Sequence, residues 1–418
     1  MDKSAIQSEV SGEITAPASK SYAQRAIAAA LLAEGESRLT NMTLCDDTEA
    51  AIGVARALGA TITAEGRTYT VKGGLNPRTE MLDVRESGLA ARLFTPIAAL
   101  SSLSMTLTGS GSIMRRPVDM MEEPLEALGV EVMTNGGYLP IEVEGPMQGG
   151  DITVDGSLSS QFVTGLLMAL PLAQNNTVMT VRDLNSKPYV DMTLEVMDAF
   201  GVTVKHERYS KYYLEVEQNY VPAEYNIEGD WSGASCMLVA GAIAGEVTVH
   251  NLNMLSLQAD ARIIEALERA GAEITTTGDS VTVRKTALNA FAFDATDCPD
   301  LFPALAALAA NCEGTSDIKG MHRLAHKESN RAEAIANVFG AMGIAVDIDS
   351  EDVMSITGGP ISNATVSSHG DHRIAMAAAV AALNCEERVV IAEAEAVAKS
   401  YPEFWADLSH IRKRKTYE

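Results

Sequence analysis

The 418-residue sequence is poor in cysteine, tryptophan and positive charge, and it has no long apolar run. Its five cysteines (Cys45, Cys236, Cys298, Cys312 and Cys385) are odd in number, widely spaced, and free of any CxxC or Cys/His ligand pattern. Reduced, buried thiols are the expectation, and a disulfide framework or zinc site is not. No stretch approaches the ~18 apolar residues of a membrane span; AMAAAVAAL (375–383) reads as a core helix. The segment MDKSAIQSEVSGE (1–13) has no apolar signal region, so a cytoplasmic protein without a membrane partner is expected. HExxH, GxGxxG and P-loop motifs are all missing. Only 32 Lys and Arg face 56 Asp and Glu, for a formal net charge of −24. Phosphate backbones require a cationic footprint, so no nucleic-acid partner is expected. The basic tail HIRKRKTYE (410–418) reads as a solvated helix end. Taken at face value, the acidity also argues against anionic substrates.

What is present is a globular composition, 46% hydrophobic and 21% charged, on a chain long enough for two or three domains. An apolar–Gly–small–x–Val/Ile phrase recurs around Gly59, Gly129, Gly201, Gly271 and Gly343, at spacings of 70, 72, 70 and 72 residues. A sixth copy would fall near residue 415, and AKSYPEFWADL (398–408) carries the first part of it. Each glycine closes an amphipathic helix. Val190, Leu194 and Met197 form one apolar stripe; Ile263, Leu267 and Ala270 form another; Ile335, Val338, Phe339 and Met342 form a third. Glycine past the helix, then an alternating strand such as EITTT (273–277), reads as a C-cap leading into a strand. Between these lie helices that are apolar on nearly all faces, marked at their starts by Ser19, Ser87, Ser159, Ser232, Asp300 and Asp371. A helix with no polar face belongs inside. Each unit thus holds one buried helix, one amphipathic helix and several short strands. Six units imply two domains of three, with the best internal boundary near YNIEGDW (225–231) and a strand-like lead-in at EVSGEITAP (9–17).

Polar residues gather at the helix starts, where free N–H groups and partial positive charge favour anions. The cations are Lys20, Arg25, Arg116, Lys327, Arg331, Arg373 and Lys399. Any one alone reads as a surface charge; together they recur at matching places in the repeat. Asp300 and Glu328 stand among them, either as N-terminal helix acids or as positioned proton carriers. Ser159, Ser160 and Gln161 add neutral donors, one serine reading equally as an N-cap.

Nine motifs in order now carry a resemblance: SKSYAQR (19–25), RRPVDM (115–120), SSQF (159–162), SKPYVDMT (186–193), EGDWSGAS (228–235), CPD (298–300), HKESNR (326–331), GDHRIAM (370–376) and AKSYPEF (398–404). Over essentially its whole length the chain resembles the 5-enolpyruvylshikimate-3-phosphate synthase family, the 3-phosphoshikimate 1-carboxyvinyltransferases. The resemblance implies an α/β fold, a two-domain inside-out α/β barrel of six βαβαββ repeats with buried helices and outward sheets. It places 19–228 in the first three-repeat domain and 1–18 with 229–418 in the second, with the active site in the cleft between them. It implies transfer of the enolpyruvyl group of phosphoenolpyruvate to the 5-hydroxyl of shikimate 3-phosphate, by addition and elimination, with no metal or organic cofactor. A monomer is expected.

By motif match, Lys20 would touch phosphoenolpyruvate and the reacting hydroxyl. Ser21, Arg25, Ser159, Ser160, Ser186 and Tyr189 would bind shikimate 3-phosphate, with Gln161 between the ligands. Asp300 would accept the hydroxyl proton, Lys327 would contact the substrates, and Glu328 would supply the proton to the methylene carbon. Gly88, Arg116, Arg331, Arg373 and Lys399 would hold phosphoenolpyruvate, the guanidinium forks suiting its oxygens.

The segment RESGLAAR (85–92) departs from the family pattern, with Glu86 for an Asn and Leu89 for a Thr. Glu86 could turn outward, pair with Arg85 or a pocket cation, or be protonated. Asn330 replaces an Asp, and Arg323 falls where the family places a substrate-contacting Asn. The sister UDP-N-acetylglucosamine enolpyruvyl transferases fit less well, because GSGSIMRRP (109–117) lacks their cysteine and Lys20 is followed by Ser21. A non-catalytic anion-binding clamshell fits poorly with Lys20, Asp300, Glu328 and Lys399 all in place. Seven cations against two acids give the site a balance of +5, opposite in sign to the whole chain.

Overall fold

The computed structural model describes residues 1–157, 159–325 and 327–413. His326 of the HKESNR motif and the tail beyond Lys413 lie outside the described residues. The chain divides into two compact units, one of Met1–Pro17 with Glu228–Glu418, the other of Ala18–Ile227.

Among the described residues, twelve α-helices alternate between two kinds. The odd-numbered set is α1 (Lys20–Leu32), α3 (Gly88–Ala98), α5 (Ser160–Ala169), α7 (Trp231–Ala244), α9 (Phe302–Ala310) and α11 (His372–Ala381). Every residue of α7, α9 and α11 is buried, as the lack of a polar face requires. Small residues let these helices approach closely. At Gly165 of α5, an added Cβ would lie 2.4 Å from the carbonyl oxygen of Arg92 on α3. The even-numbered set is α2 (Asp46–Ala57), α4 (Glu122–Ala127), α6 (Lys187–Ala199), α8 (Ile263–Ala270), α10 (Arg331–Ala341) and α12 (Phe404–Ile411). On α8, Ile263, Leu267 and Ala270 are fully buried and Gly271 caps the end at φ +90. The glycines at 59, 129, 201 and 343 also take positive φ, the conformation that ends a helix at least cost in glycine.

Five sheets have four strands and one has three. In one, Met81–Asp83 runs parallel to Ser104–Thr108, which pairs antiparallel with Tyr138–Glu144, itself antiparallel to Glu131–Asn135. With α3 and α4 between the strands, this is the expected βαβαββ order. Leu139, Ile141 and Val143 point inward while Glu142 and Glu144 are exposed, so the helices are inside and the sheet faces out. Two strands pair away from the helix they precede in sequence. Val10–Thr15 leads into α1 yet lies parallel to Gly245–His250; Glu224–Asn226 leads into α7 yet lies parallel to Glu36–Thr40.

The sixth repeat differs from the sequence expectation. The position near 415, where a sixth copy of the glycine phrase would fall, lies outside the described residues, and the sheet of this repeat takes in Lys3–Ile6, antiparallel to Arg388–Ala392, which pairs parallel with Ala364–Ser367. All five cysteines are buried and unpaired. No described helix is long and apolar enough to cross a membrane.

Candidate active site

In the unit Ala18–Ile227, side-chain bonds tie several helix starts together. Arg25, on the second turn of α1, is 1% exposed. Its Nε donates to Thr193 Oγ1 (2.9 Å) on α6; its Nη2 donates to the Tyr189 carbonyl (3.0 Å) and to Thr164 Oγ1 (3.4 Å) on α5; its Nη1 donates to the Ser21 carbonyl (2.9 Å). Burial, with no carboxylate among its partners, lowers its pKa to about 10. Among the described residues no carboxylate pairs with this guanidinium. Gln24 and Ser87 join α1 to the cap of α3 (3.1 Å), and Arg92 Nη1 on α3 reaches Gln161 Oε1 on α5 (3.4 Å). The expected set Ser21, Arg25, Ser159, Ser160, Gln161, Ser186 and Tyr189 thus lies on three linked helix starts. Ser159 is the N-cap of α5, its Oγ accepting from the Gln161 N–H (3.2 Å). Ser186 is the N-cap residue of α6, held at φ +57 and buried.

Lys20 opens α1 and is 8% exposed. Its Nζ donates to Asp47 Oδ2 at 2.7 Å. Asp47 was missed in the sequence, where it reads as one of three acids in the first turn of α2. Arg116 follows a 3₁₀ turn, Gly111–Arg115, and is also 8% exposed. Its Nε is buried with no hydrogen-bond partner among the described residues. The guanidinium lies against Gly88, where a Cβ would sit 2.2 Å from Nη1. Gly88 therefore admits Arg116 by lacking a side chain, a reason different from the expected approach to the ligand itself.

In the other unit, a second cluster centres on Asp300, in the short turn Pro299–Leu301 before α9. Asp300 Oδ1 accepts from Arg331 Nη1 (2.6 Å) and Lys327 Nζ (3.4 Å), and Oδ2 faces Arg373 Nη2 (3.2 Å). Burial alone would raise its pKa. The charges of Arg373, Lys327 and Arg331 outweigh that and hold the carboxyl well below the usual carboxylate range. Burial lowers the Lys327 ammonium, with Asp300 opposing. Arg331, the first residue of α10, is fully buried and also donates to Glu328 Oε2 (2.6 Å) and Asp371 Oδ2 (2.8 Å). Three of its five N–H groups are thus given to three carboxylates. Asp371 is itself the N-cap of α11, accepting from the Arg373 N–H (3.0 Å).

Arg373 Nε and Nη2 donate to Ser232 Oγ (3.1 and 2.7 Å). Nearby Asp260 is buried; desolvation and then the charge of Asp300 push its pKa up to about 7. Lys399 Nζ donates to the Gly370 carbonyl (2.8 Å), at the loop before α11. Asn330 occupies the N-cap position of α10 without a side-chain cap bond.

The charge balance differs from the sequence expectation. Asp47 and Asp371 join Asp300 and Glu328 as partners, so within one unit Lys20, Arg25 and Arg116 stand against Asp47 (3 − 1 = +2), and within the other Lys327, Arg331, Arg373 and Lys399 stand against Asp300, Glu328 and Asp371 (4 − 3 = +1). The sign survives.

Comparison with known proteins shows the family of the chain. The family model for EPSP synthase (3-phosphoshikimate 1-carboxyvinyltransferase) matches residues 4–408. A 3-phosphoshikimate 1-carboxyvinyltransferase of Thermococcus kodakarensis is 41% identical over 403 residues, covering 96% of this chain and 98% of that protein. One from Methanocella arvoryzae is 38% identical, covering 97% of both. The solved structure of EPSP synthase from Acinetobacter baumannii superposes with a TM-score of 0.82 at 26% identity, over 99% of this chain and 98% of that one. With a family model spanning nearly every residue and relatives this similar along their full length, the chain belongs to the EPSP synthase (3-phosphoshikimate 1-carboxyvinyltransferase) family.

Proposed function

We propose that this chain transfers the enolpyruvyl group of phosphoenolpyruvate to the 5-hydroxyl of shikimate 3-phosphate, releasing phosphate, in the shikimate pathway to chorismate and the aromatic amino acids. The observation that carries the residue assignment is the pair of cationic clusters at helix starts, one of which encloses a carboxylate held ionised. Arg25, Ser159, Ser160 and Ser186, with Ser21, Gln161 and Tyr189 beside them, bind shikimate 3-phosphate. The buried guanidinium of Arg25, with no carboxylate paired to it among the described residues, supports this, because a phosphate would neutralise it. Arg116, Arg331, Arg373 and Lys399 hold the carboxylate and phosphate of phosphoenolpyruvate, Gly88 giving Arg116 its room.

In the addition step, Asp300 accepts the hydroxyl proton as the oxygen bonds to C2 of phosphoenolpyruvate. Its depressed pKa keeps it ready as an acceptor at neutral pH, and the cations around it stabilise the charge that develops. Glu328, hydrogen-bonded to Arg331, delivers a proton to the methylene carbon, and Lys20 and Lys327 contact the substrates at the reacting oxygen. In the elimination step the C2–O bond to phosphate breaks, the Glu328 carboxylate takes a proton back from the methyl group, and the proton held by Asp300 leaves with the phosphate. Asp47 fixes Lys20 at 2.7 Å so that its ammonium is presented from the first turn of α1.

Phosphate release from phosphoenolpyruvate tests this reading, with shikimate 3-phosphate and UDP-N-acetylglucosamine as alternative acceptors. Release is expected with shikimate 3-phosphate alone. Release only with the nucleotide sugar, or with neither, would overturn it.

A further inference from the structure

The segment 85–88 touches the loop 109–116 at both of that loop's ends. At the start, Ser110 N–H donates to the Arg85 carbonyl (2.8 Å) and Ser112 N–H donates to Glu86 Oε2 (2.9 Å). Two glycines permit this contact. A Cβ at Gly109 would lie 2.6 Å from the Arg85 carbonyl oxygen, and one at Gly111, at φ +59, would lie 2.3 Å from the Glu86 carboxylate. At the other end, Arg116 N–H closes onto the Ile113 carbonyl (3.1 Å), and its guanidinium rests on Gly88. Arg85 pairs with Glu49. The contact of Glu86 with the backbone of the loop that carries Arg116 was not among the placements the sequence left open.

We infer that Glu86 is a positioning residue, its carboxylate fixing the 109–116 loop so that Arg116 is presented to phosphoenolpyruvate. The inference rests on the reading above that Arg116 binds that substrate. It assigns Glu86 a task unlike that of the amide expected there from the family resemblance. The carboxylate is engaged by a backbone donor, a charge-assisted bond stronger than its neutral counterpart, and so organises the site on the ligand's behalf. Two buried polar atoms of this loop, Arg116 Nε and Ser112 Oγ, have no partner among the described residues. An arm with unspent donors needs its backbone held, because a shift of about 1 Å in a positioned group is enough to cost a large part of its effect.

Steady-state kinetics of the full chain with both substrates tests the inference. Glu86→Ala should raise KM for phosphoenolpyruvate by about tenfold, the equivalent of one charge-assisted hydrogen bond. KM for shikimate 3-phosphate should stay within about twofold and kcat within about threefold, since the interaction lost is one of binding. Glu86→Gln keeps an acceptor oxygen for the Ser112 N–H and should restore KM for phosphoenolpyruvate to within about threefold of the parent. A lower KM for phosphoenolpyruvate in both variants would mean that the acid repels the ligand, and it would overturn the inference. So would an unchanged KM in Glu86→Ala, or a Glu86→Gln variant as impaired as the alanine. Thermal melts of both variants separate misfolding from the kinetic effect. Failure of the parent chain to release phosphate would instead count against the functional reading.

Discussion

Replacing Arg331 by methionine should destabilise its unit severely, and the size follows from what the guanidinium touches. It is fully buried and lies 2.6 Å from Asp300, 2.6 Å from Glu328 and 2.8 Å from Asp371. Methionine keeps the apolar stem but removes the donors from three carboxylates, of which Asp371 is itself fully buried. Removing one partner of a buried ion pair costs about 3–5 kcal/mol, because the other charge stays behind. For a unit of this size about 2–4 °C of Tm goes with each kcal/mol, so a fall of roughly 6–20 °C is expected. The pH dependence supplies the check. In the variant the stranded carboxylates take up protons more readily in the folded state. Its deficit against the parent is therefore greatest at about pH 8 and narrows toward about pH 5. Calorimetric melts of both proteins across that range measure it. A fall of less than about 2 °C at the alkaline end, or a gap that widens toward acid, would refute the claim that Arg331 is the hub of the cluster.

Asp300→Asn should lower kcat by about 10²–10⁴, the usual worth of a general base, while both substrates still raise the Tm of the variant; near-normal turnover would remove Asp300 from the mechanism. Asp260 carries a raised pKa, so its contribution to stability is full below the ordinary carboxyl pKa and is lost as pH rises toward about 7. Asp260→Asn should flatten that decline in pH-dependent melts, and an unchanged slope would show that the group is ionised when folded. Arg25→Lys keeps the charge but cannot make all the bonds that tie α1 to α5 and α6, so KM for shikimate 3-phosphate should rise by at least about tenfold. An unaltered KM would mean that the fork is not needed there.

The repeat was readable because two periods coincide in it, that of the helix and that of about seventy residues. Gly271 and its counterparts announce helix ends because only glycine takes positive φ cheaply. The cations were readable for a similar reason, recurring at or before the starts of both helix sets, Lys20 and Arg25 at α1 and Arg373 at α11, Arg116 ahead of α4 and Arg331 at α10. Their partners were not. Asp47 and Asp371 sit in first turns and at caps, where an acid also serves the helix dipole, and nothing local separates that duty from an ion pair. Arg92 could have been noticed as the one cation inside the apolar α3, where it is 2% exposed. The contact of Glu86 with Ser112 spans 26 residues and depends on a turn conformation that composition does not specify. The last sheet eluded the sequence because Lys3–Ile6 is four residues long and its partner is nearly 400 residues away.

That last pairing has a consequence in time. The described strands of Ala18–Ile227 pair within that unit, so their partners exist once residue 227 has been made and the unit can fold while synthesis continues. Strands 3–6 and 10–15 cannot do likewise. They are made before Ala18–Ile227, but their neighbours are at 388–391 and 245–250. At ~5–20 residues per second, strand 3–6 waits roughly 10–30 s after residue 227 before its neighbour is complete. Both strands are short, and the longer, VSGEIT, contains a glycine and a glutamate that weaken pairing with anything but its intended edge. Two strands made before Ala18–Ile227 thus gain their partners only after that unit has been made.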